Sequence, residues 1–246
     1  MVEVSSTIKG ALSLFDYRLS DALGSGRFGS CYLISQYDKF FVFKIFNSND
    51  VKRFKRKLVL EGKYLKSINH PAIPKLIRVI DTDGIYGLIM ERMSGDSLED
   101  LLNQGYPFSK KEIFLIIKQL IDVMEYLYSL KISHRDIKAS NILWKNNKIS
   151  LVDFGSARDL SILSCRFNPD FWGMGDVFMR LALSSQEMTF SHHDFYIDDL
   201  NLDSQEKIIV KRLLHIEQPY DNIQDLKRDF VYGFSIDQNN EQKIIN

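Results

Sequence analysis

An α+β fold in two lobes is what the sequence predicts, and three observations predict it. Apart from one helix, the first third of the chain alternates apolar and polar residues over short runs. The remainder repeats its apolar residues at helical spacing, and the change of period falls near Met93-Ser94-Gly95. With 246 residues the chain has room for one sizeable domain or a two-lobed one. The expected division is an N-terminal lobe over residues 1–93, made of an antiparallel sheet and one helix, and a mainly helical C-terminal lobe over residues 94–246.

The elements follow in order. "YRLSDALG" and "SCYLISQY" read as strands around a glycine-rich turn, and "KFFVFKIF" follows a tight Tyr37-Asp38 corner. After "NSND", which supplies capping residues, "VKRFKRKLVLEGKYLKSI" carries Phe54, Leu58, Leu65 and Ile68 on one helical face. Two prolines in "HPAIPKL" stop that helix. The strands "IRVIDT" and "IYGLIMERM" come next, joined by an Asp83-Gly84 turn. "SLEDLLNQ" is a short helix, and "SKKEIFLIIKQLIDVMEYLYSL" is a long one whose Ser109 and Glu112 form a capping box. "NPDFWGMGDVFMRLALS" and "SQEKIIVKRLLHI" are later helices, and the polar tail "DQNNEQKIIN" frays.

Composition narrows the function classes. Lys and Arg total 32 and so do Asp and Glu, so no global charge draws the chain to nucleic acid or to an acidic substrate. The most apolar run, "IFLIIKQLIDVM", is interrupted by Lys118 and Asp122 and suits a buried helix, not a membrane span. Cys31 and Cys165 are too far apart in sequence to form a ligand cluster and point to a reducing compartment. No basic segment followed by an apolar one opens the chain, so a cytoplasmic protein without membrane or nucleic-acid partners is expected. "KRFKRK" is a solvated helix face, and the adjacent His192 and His193 diverge too much to share a metal with Asp194.

Four short motifs carry chemistry. Taken singly, "GSGRFG" is a turn, Lys44 a strand-end lysine, Glu61 a helix carboxylate and "DFG" a common tripeptide. "HRDIKASN" is more specific, because four polar groups at fixed spacing precede the apolar "ILW". Their order gives them joint meaning. Glu61 follows Lys44 by 17 residues, Asp136 follows Lys44 by 92, and Asp153 follows Asp136 by 17.

On "GSGRFGSC", "FVFK", "HRDIKASN" and "DFG", the chain resembles a eukaryotic-type serine/threonine protein kinase over about residues 17–232, in the small stand-alone form found in bacteria. The resemblance implies a bilobal protein kinase-like fold and a requirement for ATP and Mg2+. It implies catalytic roles for Asp136, Lys138, Lys44 and Glu61, with Lys44 on the inner phosphates and ion-paired to Glu61. Asp136 would orient the acceptor hydroxyl, and Lys138 would lie near the transferring phosphate. Asn141 and Asp153 would hold the metal, a donor set suited to a hard cation. Gly24, Ser25, Gly26, Phe28 and Gly29 would cover the phosphates. Cys31, Val42, Met90 and Leu143 would enclose the base, and the backbone of Glu91 to Met93 would bond its edge, with Asp96 or Ser97 on the ribose. Leu65, Leu76, His134 and Phe154 match the family's stacked apolar column.

One departure stands out. Asp170 of "DFW" follows Asp153 by only 17 residues, with no threonine and no Ala-Pro-Glu stretch between them. Fully extended, such a segment spans at most about 3.5 Å per residue, too little for the family's peptide-binding ledge. The turn "IEQPYDN" also lacks the arginine that usually pairs with that glutamate, so both partners of a buried pair are missing together. Ser156, Ser161 and Ser164 are the only hydroxyls for a phosphate switch, and Arg135 is expected to bind a nearby carboxylate or carbonyl. Two other readings stay open: a kinase-fold enzyme acting on a small molecule, and a nucleotide-binding scaffold without catalysis. The acceptor protein is not legible.

Overall fold

A computed structural model describes residues 6–26, 29–45, 51–82, 85–162, 167–184 and 197–234, with backbone only for Gly26 and residues 51–58. Phe28, Asp83-Gly84, the whole of "NSND", Ser164, Cys165, His192 to Asp194 and the polar tail lie outside the described residues, as do the side chains of Phe54, Leu58 and the basic run. The chain forms two compact units. One is Met1–Ser94 with Val152–Ala157, the other Gly95–Leu151 with Arg158–Asn246.

The first unit is built on a five-stranded antiparallel sheet of β1 (Arg18–Gly26), β2 (Gly29–Gln36), β3 (Lys39–Ile45), β4 (Leu76–Thr82) and β5 (Ile85–Glu91), in the order β1-β2-β3-β5-β4. Strand periodicity gives this sheet two unlike faces. Phe43 and Ile45 point to one, where they join Tyr32, Ile34, Ile80, Ile85 and Ile89 in a closed apolar cluster. Lys44, lying between them in sequence, points to the other. Register extends that second face: Cys31 pairs with Lys44, Leu33 with Val42, Val42 with Met90 and Lys44 with Leu88. Gly87 has no side chain because a Cβ there would lie 2.6 Å from the Phe43 ring.

Helix α2 (Val51–Ser67) follows β3, as its apolar spacing predicts. A further helix, α1 (Ser6–Ser13), precedes the sheet and was not expected. Its Ala11 and Leu12 enter the apolar cluster, and Phe15 just beyond it packs there too. Gln36 donates to the Phe15 carbonyl at 2.9 Å, and the Arg78 guanidinium lies 4.5 Å from the Phe15 ring centre. Leu12 is fully buried. Leu12→Ala is therefore expected to destabilise the chain by about 2–5 kcal/mol, the usual range for deleting a buried leucine side chain. Thermal unfolding followed by circular dichroism measures it; an unchanged midpoint would mean that α1 is dispensable to the sheet.

The second unit is mainly helical. Ser97 caps α3 (Leu98–Asn103), and the capping box of Ser109 and Glu112 opens α4 (Lys110–Ser129) as its sequence predicts. Helices α5 (Pro169–Ser184), α6 (Ser204–Leu213) and α7 (Ile223–Gly233) complete it, with Leu120, Met124, Phe178, Val210 and Phe230 in its core. The last helix, α7, was also not expected; Asn222 caps it, and Ile223, Leu226 and Phe230 face inward. Short strands frame the loops that carry chemistry. They are β6 (Asp96–Ser97), β8 (Ile142–Lys145) and β9 (Lys148–Leu151) in one sheet, and β7 (Ile132–Ser133) with β10 (Arg158–Asp159) in another. Among the described residues no helix is long and apolar enough to cross a membrane.

Candidate active site

In the first unit Lys44, on the second sheet face, meets Glu61 of α2 and Asp153 from the loop after β9. Lys44 is only 4% exposed and Glu61 only 1%. The Lys44 ammonium donates to both Glu61 oxygens, at 2.8 and 2.9 Å, and to Asp153 Oδ1 at 2.7 Å. Burial alone would lower the lysine's pKa, but the two carboxylates outweigh it and hold the pKa above the ordinary lysine range. The amine is thus a fixed positive charge. Asp153 has a left-handed backbone, φ +65°, and its carboxylate accepts the Gly155 amide at 3.2 Å. Asparagine and aspartate tolerate that conformation better than most residues. Gly155 is also packed closely, since a Cβ on it would lie 3.2 Å from Asp153 Oδ1 and 3.4 Å from Lys44 Nζ. Phe154, buried next to Asp153, gives Glu61 a backbone hydrogen bond.

The same face holds the residues expected to enclose a base. Cys31, Val42 and Met90 share it by register, with Gly24 opposite Cys31 and Gly26 opposite Gly29 at the end of the hairpin. The Glu91 amide donates to the Lys75 carbonyl at 2.9 Å, and the Glu91 carboxylate accepts the Lys75 amide at 3.3 Å. Glu91 therefore has no amide to offer a base. Cys31 is a free thiol whose pKa is pushed up to about 11, chiefly by burial, with Lys44 opposing and Asp153 and Glu61 adding to the rise. A raised thiol pKa keeps the neutral form until high pH. In a Cys165→Ser background, alkylation by iodoacetamide should climb about tenfold per pH unit through about pH 9.5 without levelling. An ordinary thiol levels near its pKa of about 8.5; a plateau by about pH 9 would contradict this burial.

In the second unit the loop from His134 to Asn141 forms a second constellation. The Lys138 ammonium lies 2.9 Å from Asp136 Oδ2. The Asn141 side-chain amide donates to the Asp136 carbonyl at 2.9 Å and to Asp136 Oδ2 at 3.0 Å. With its nitrogen so engaged, Asn141 turns its oxygen elsewhere, which suits a hard cation. Leu143 is half-buried on β8, opposite Ser97. The Ser97 hydroxyl caps α3 and donates to Asp100 Oδ2 at 2.6 Å.

What positions this loop was not evident from the motif. Asp170, fully buried at the start of α5, accepts the Ser133 hydroxyl at 2.6 Å, the His134 amide at 3.2 Å and the Arg135 amide at 2.6 Å. Tyr128 donates to it at 3.0 Å, and Tyr128 is itself bonded to Asn168. This carboxylate fixes the backbone just before Asp136 and lets Arg135 adopt φ +65°. Gly173 completes the seat: a Cβ there would collide with the Ile137 carbonyl and lie 2.8 Å from Ile137 Cβ. Tyr128, Ser133 and Asn168 carry no sequence signal for this role, because their meeting with Asp170 depends on folding. Leu65 and Phe154 are buried in the first unit, where Leu76 is half-buried, and His134 is buried in the second.

Residues 17–173 match the family model described as the protein kinase domain. The chain belongs to the protein kinase domain family. Family membership makes it a phosphotransferase and implies ATP and a divalent metal ion. It is 29% identical over 230 residues to "Probable serine/threonine-protein kinase YbdM" of Bacillus subtilis, covering 89% of this chain and 90% of that protein. It is 30% identical over 149 residues to "Myosin light chain kinase A" of Dictyostelium discoideum, covering 58% of this chain and 50% of that protein. A third relative, "Probable serine/threonine-protein kinase DDB_G0284251" of the same organism, is 27% identical over 199 residues, 70% of this chain and 40% of that protein. The chain thus spans nearly all of the bacterial relative and half or less of these two amoebal ones.

Near the short segment, one arrangement departs from the sequence expectation. Arg135 was expected to bind a carboxylate or carbonyl; among the described residues its exposed guanidinium makes no such bond, and only its backbone amide is held. The local backbone already has a partner in Asp170, so no tether from the side chain is required. The turn "IEQPYDN" lacks an arginine, as read, and an arginine from α6 packs against it. Arg212 stacks 3.7 Å from the centre of the Tyr220 ring, donates to Asp229 at 2.8 Å, and bonds the Gln218 carbonyl at 3.0 Å. Short pairing of β10 with β7 and the bond from the Leu160 amide to the Lys131 carbonyl anchor the start of the segment. Ser161 bonds the Asp159 carboxylate through both its hydroxyl and its amide.

Proposed function

We propose that this protein is an ATP- and magnesium-dependent serine/threonine protein kinase of bacterial type, in which one domain over about residues 17–232 works in the cytoplasm with a shortened activation segment. The carrying observation is that Lys44 is held as a buried cation by Glu61 and Asp153. Relatives named as serine/threonine kinases, one of them spanned almost end to end, support the acceptor class.

Phosphoryl transfer asks a protein mainly for positioning and charge neutralisation. Lys44 neutralises the inner phosphates of ATP, and Glu61 keeps its amine in place. The glycine-rich hairpin, Gly24 to Gly29 with Ser25 and Phe28, covers the phosphates with backbone amides. Cys31, Val42, Met90 and Leu143 sandwich the base, and the Met93 backbone bonds its edge beside the Glu91 carbonyl. Asp153 and the Asn141 oxygen hold magnesium, which when bound offsets phosphate charge. Asp136 orients the acceptor hydroxyl and receives its proton, while Lys138 stabilises negative charge on the phosphoryl group in flight. The absence of an Ala-Pro-Glu stretch favours a second reading, phosphorylation of a small molecule.

Labelled ATP with magnesium, incubated with and without cell lysate beside an Asp136→Asn control, tests the proposal. Label on serine or threonine of proteins, seen only with the active form, is the expected result. Turnover without protein labelling would move the assignment to a small-molecule acceptor, and nucleotide binding without turnover to a scaffold.

A further inference from the structure

Lys138 is more open to solvent than the other residues given a catalytic role. Its side chain is 45% exposed, against 24% for Asp136, and its ammonium meets Asp136 Oδ2 at 2.9 Å. Packing therefore does not fix it. A flexible four-carbon stem that ends in a point charge goes where the nearby charges draw it.

A second carboxylate stands within reach of that charge. The Ser97 hydroxyl opens α3 by accepting the Asp100 amide at 3.0 Å, and β6 pairs with β8, Ser97 opposite Leu143. Helix α3 is thereby seated against the turn Ala139–Asn141, which directly follows Lys138, and Glu99 lies in its first turn. From α5, Arg180 donates to both Glu99 oxygens, through Nη2 at 2.7 Å and Nη1 at 3.3 Å. These bonds pull the Glu99 carboxyl below its ordinary pKa, burial opposes them, and Lys138 adds to the lowering. Asp100 beside Glu99 and Asp176 on α5 bring further negative charge to the same region. Four side chains thus alternate in sign, in the order Asp136, Lys138, Glu99, Arg180.

A link between α3 and α5 accounts for the Arg180–Glu99 bonds, but not for a carboxylate beside a loosely held catalytic ammonium. Left bare, Glu99 would compete with phosphate oxygens for Lys138. A guanidinium bound to both its oxygens cancels that charge, and arginine keeps its own charge at every working pH. We propose, on the role read for Lys138 above, that Arg180 is a positioning residue: by neutralising Glu99 it leaves Lys138 at Asp136, available to the phosphoryl group in flight. The pair is partly exposed, 36% for Arg180 and 34% for Glu99, so the expected effect is about 5-fold, the upper end for such ion pairs.

Arg180→Met, Glu99→Gln and the double variant of the full chain are compared with the wild type, with ATP, magnesium and casein as the acceptor. The expected kcat of Arg180→Met is about 5-fold lower, with KM for ATP unchanged, because Lys44 and not Lys138 takes the inner phosphates. Glu99→Gln alone should stay near the wild type, and adding it to Arg180→Met should restore the rate. A second readout needs no turnover. Trace acetylation by N-acetoxysuccinimide, followed by peptide mass spectrometry, compares Lys138 with the exposed Lys148. Drawn to two carboxylates in Arg180→Met, Lys138 should react several-fold more slowly, and the double variant should return it to the wild-type rate. An unchanged kcat in Arg180→Met, a double variant as slow as the single one, or Lys138 labelling indifferent to Arg180 would each overturn the proposal. If all three variants are slow and melt early, the pair is a tether between helices and the proposal falls. A wild type that transfers no phosphate would sink the kinase reading, and the labelling would still decide whether Arg180 governs Lys138.

Discussion

Lys44→Ala is expected to lower phosphate transfer by at least about 10²-fold, the scale for removing one positioned charge-stabilising group. It should also lower thermal stability, and the joint effect is the informative part. Lys44 sits between two carboxylates, one of which, Glu61, is 1% exposed. Removing the amine leaves Glu61 buried beside Asp153 without its cation, and breaking a buried pair from one side costs about 3–5 kcal/mol. Lys44→Met keeps most of the side-chain volume and should show nearly the same two losses. Steady-state kinetics and thermal melts on purified variants measure both. An unchanged rate would remove Lys44 from the phosphate site, and an unchanged melt would mean that Glu61 finds another partner.

Asp136→Asn should behave differently. Turnover should fall by about 10²–10⁴-fold, the contribution of a positioned general base, while the melting temperature stays close to that of the wild type. Asp136 is partly open to solvent, its side chain 24% exposed, and asparagine keeps its shape. One Asn141 bond goes to the Asp136 main-chain carbonyl and survives the substitution. A large rate loss without a stability loss separates chemistry from architecture. A variant that both melts early and turns over slowly would mean that Asp136 acts by holding its loop.

How much of this was legible in sequence depends on the range of the interaction. Alternation along β3 already set Lys44 against Phe43 and Ile45, and Glu61, 17 residues on, met it as an ion pair. Capping of α4 by Ser109 and Glu112 is written in four adjacent residues, and it formed as read. Helices α1 and α7 carried comparable signals, with Ile8, Ala11 and Leu12 in one and Asn222, Ile223 and Leu226 in the other. The support around Asp170 was not readable at all. Tyr128, Ser133 and Asn168 are common polar residues whose meaning arises only when α4, β7 and α5 bring them to one carboxylate. The contacts of Arg212 were not legible for the same reason: it reaches the Gln218 carbonyl and Asp229 only once α6, the turn and α7 have packed.

On the function proposed, Lys44, Asp153, Asn141 and Asp136 would serve one metal-bound ATP. A crystal structure of the full chain with a non-hydrolysable ATP analogue and magnesium tests it most directly. The expected result is an ion held by Asp153 and the Asn141 oxygen at about 2.0–2.1 Å, with the Lys44 amine on the inner phosphates. Phosphates seated elsewhere on the chain, with neither Asp153 nor Asn141 on the metal, would contradict it.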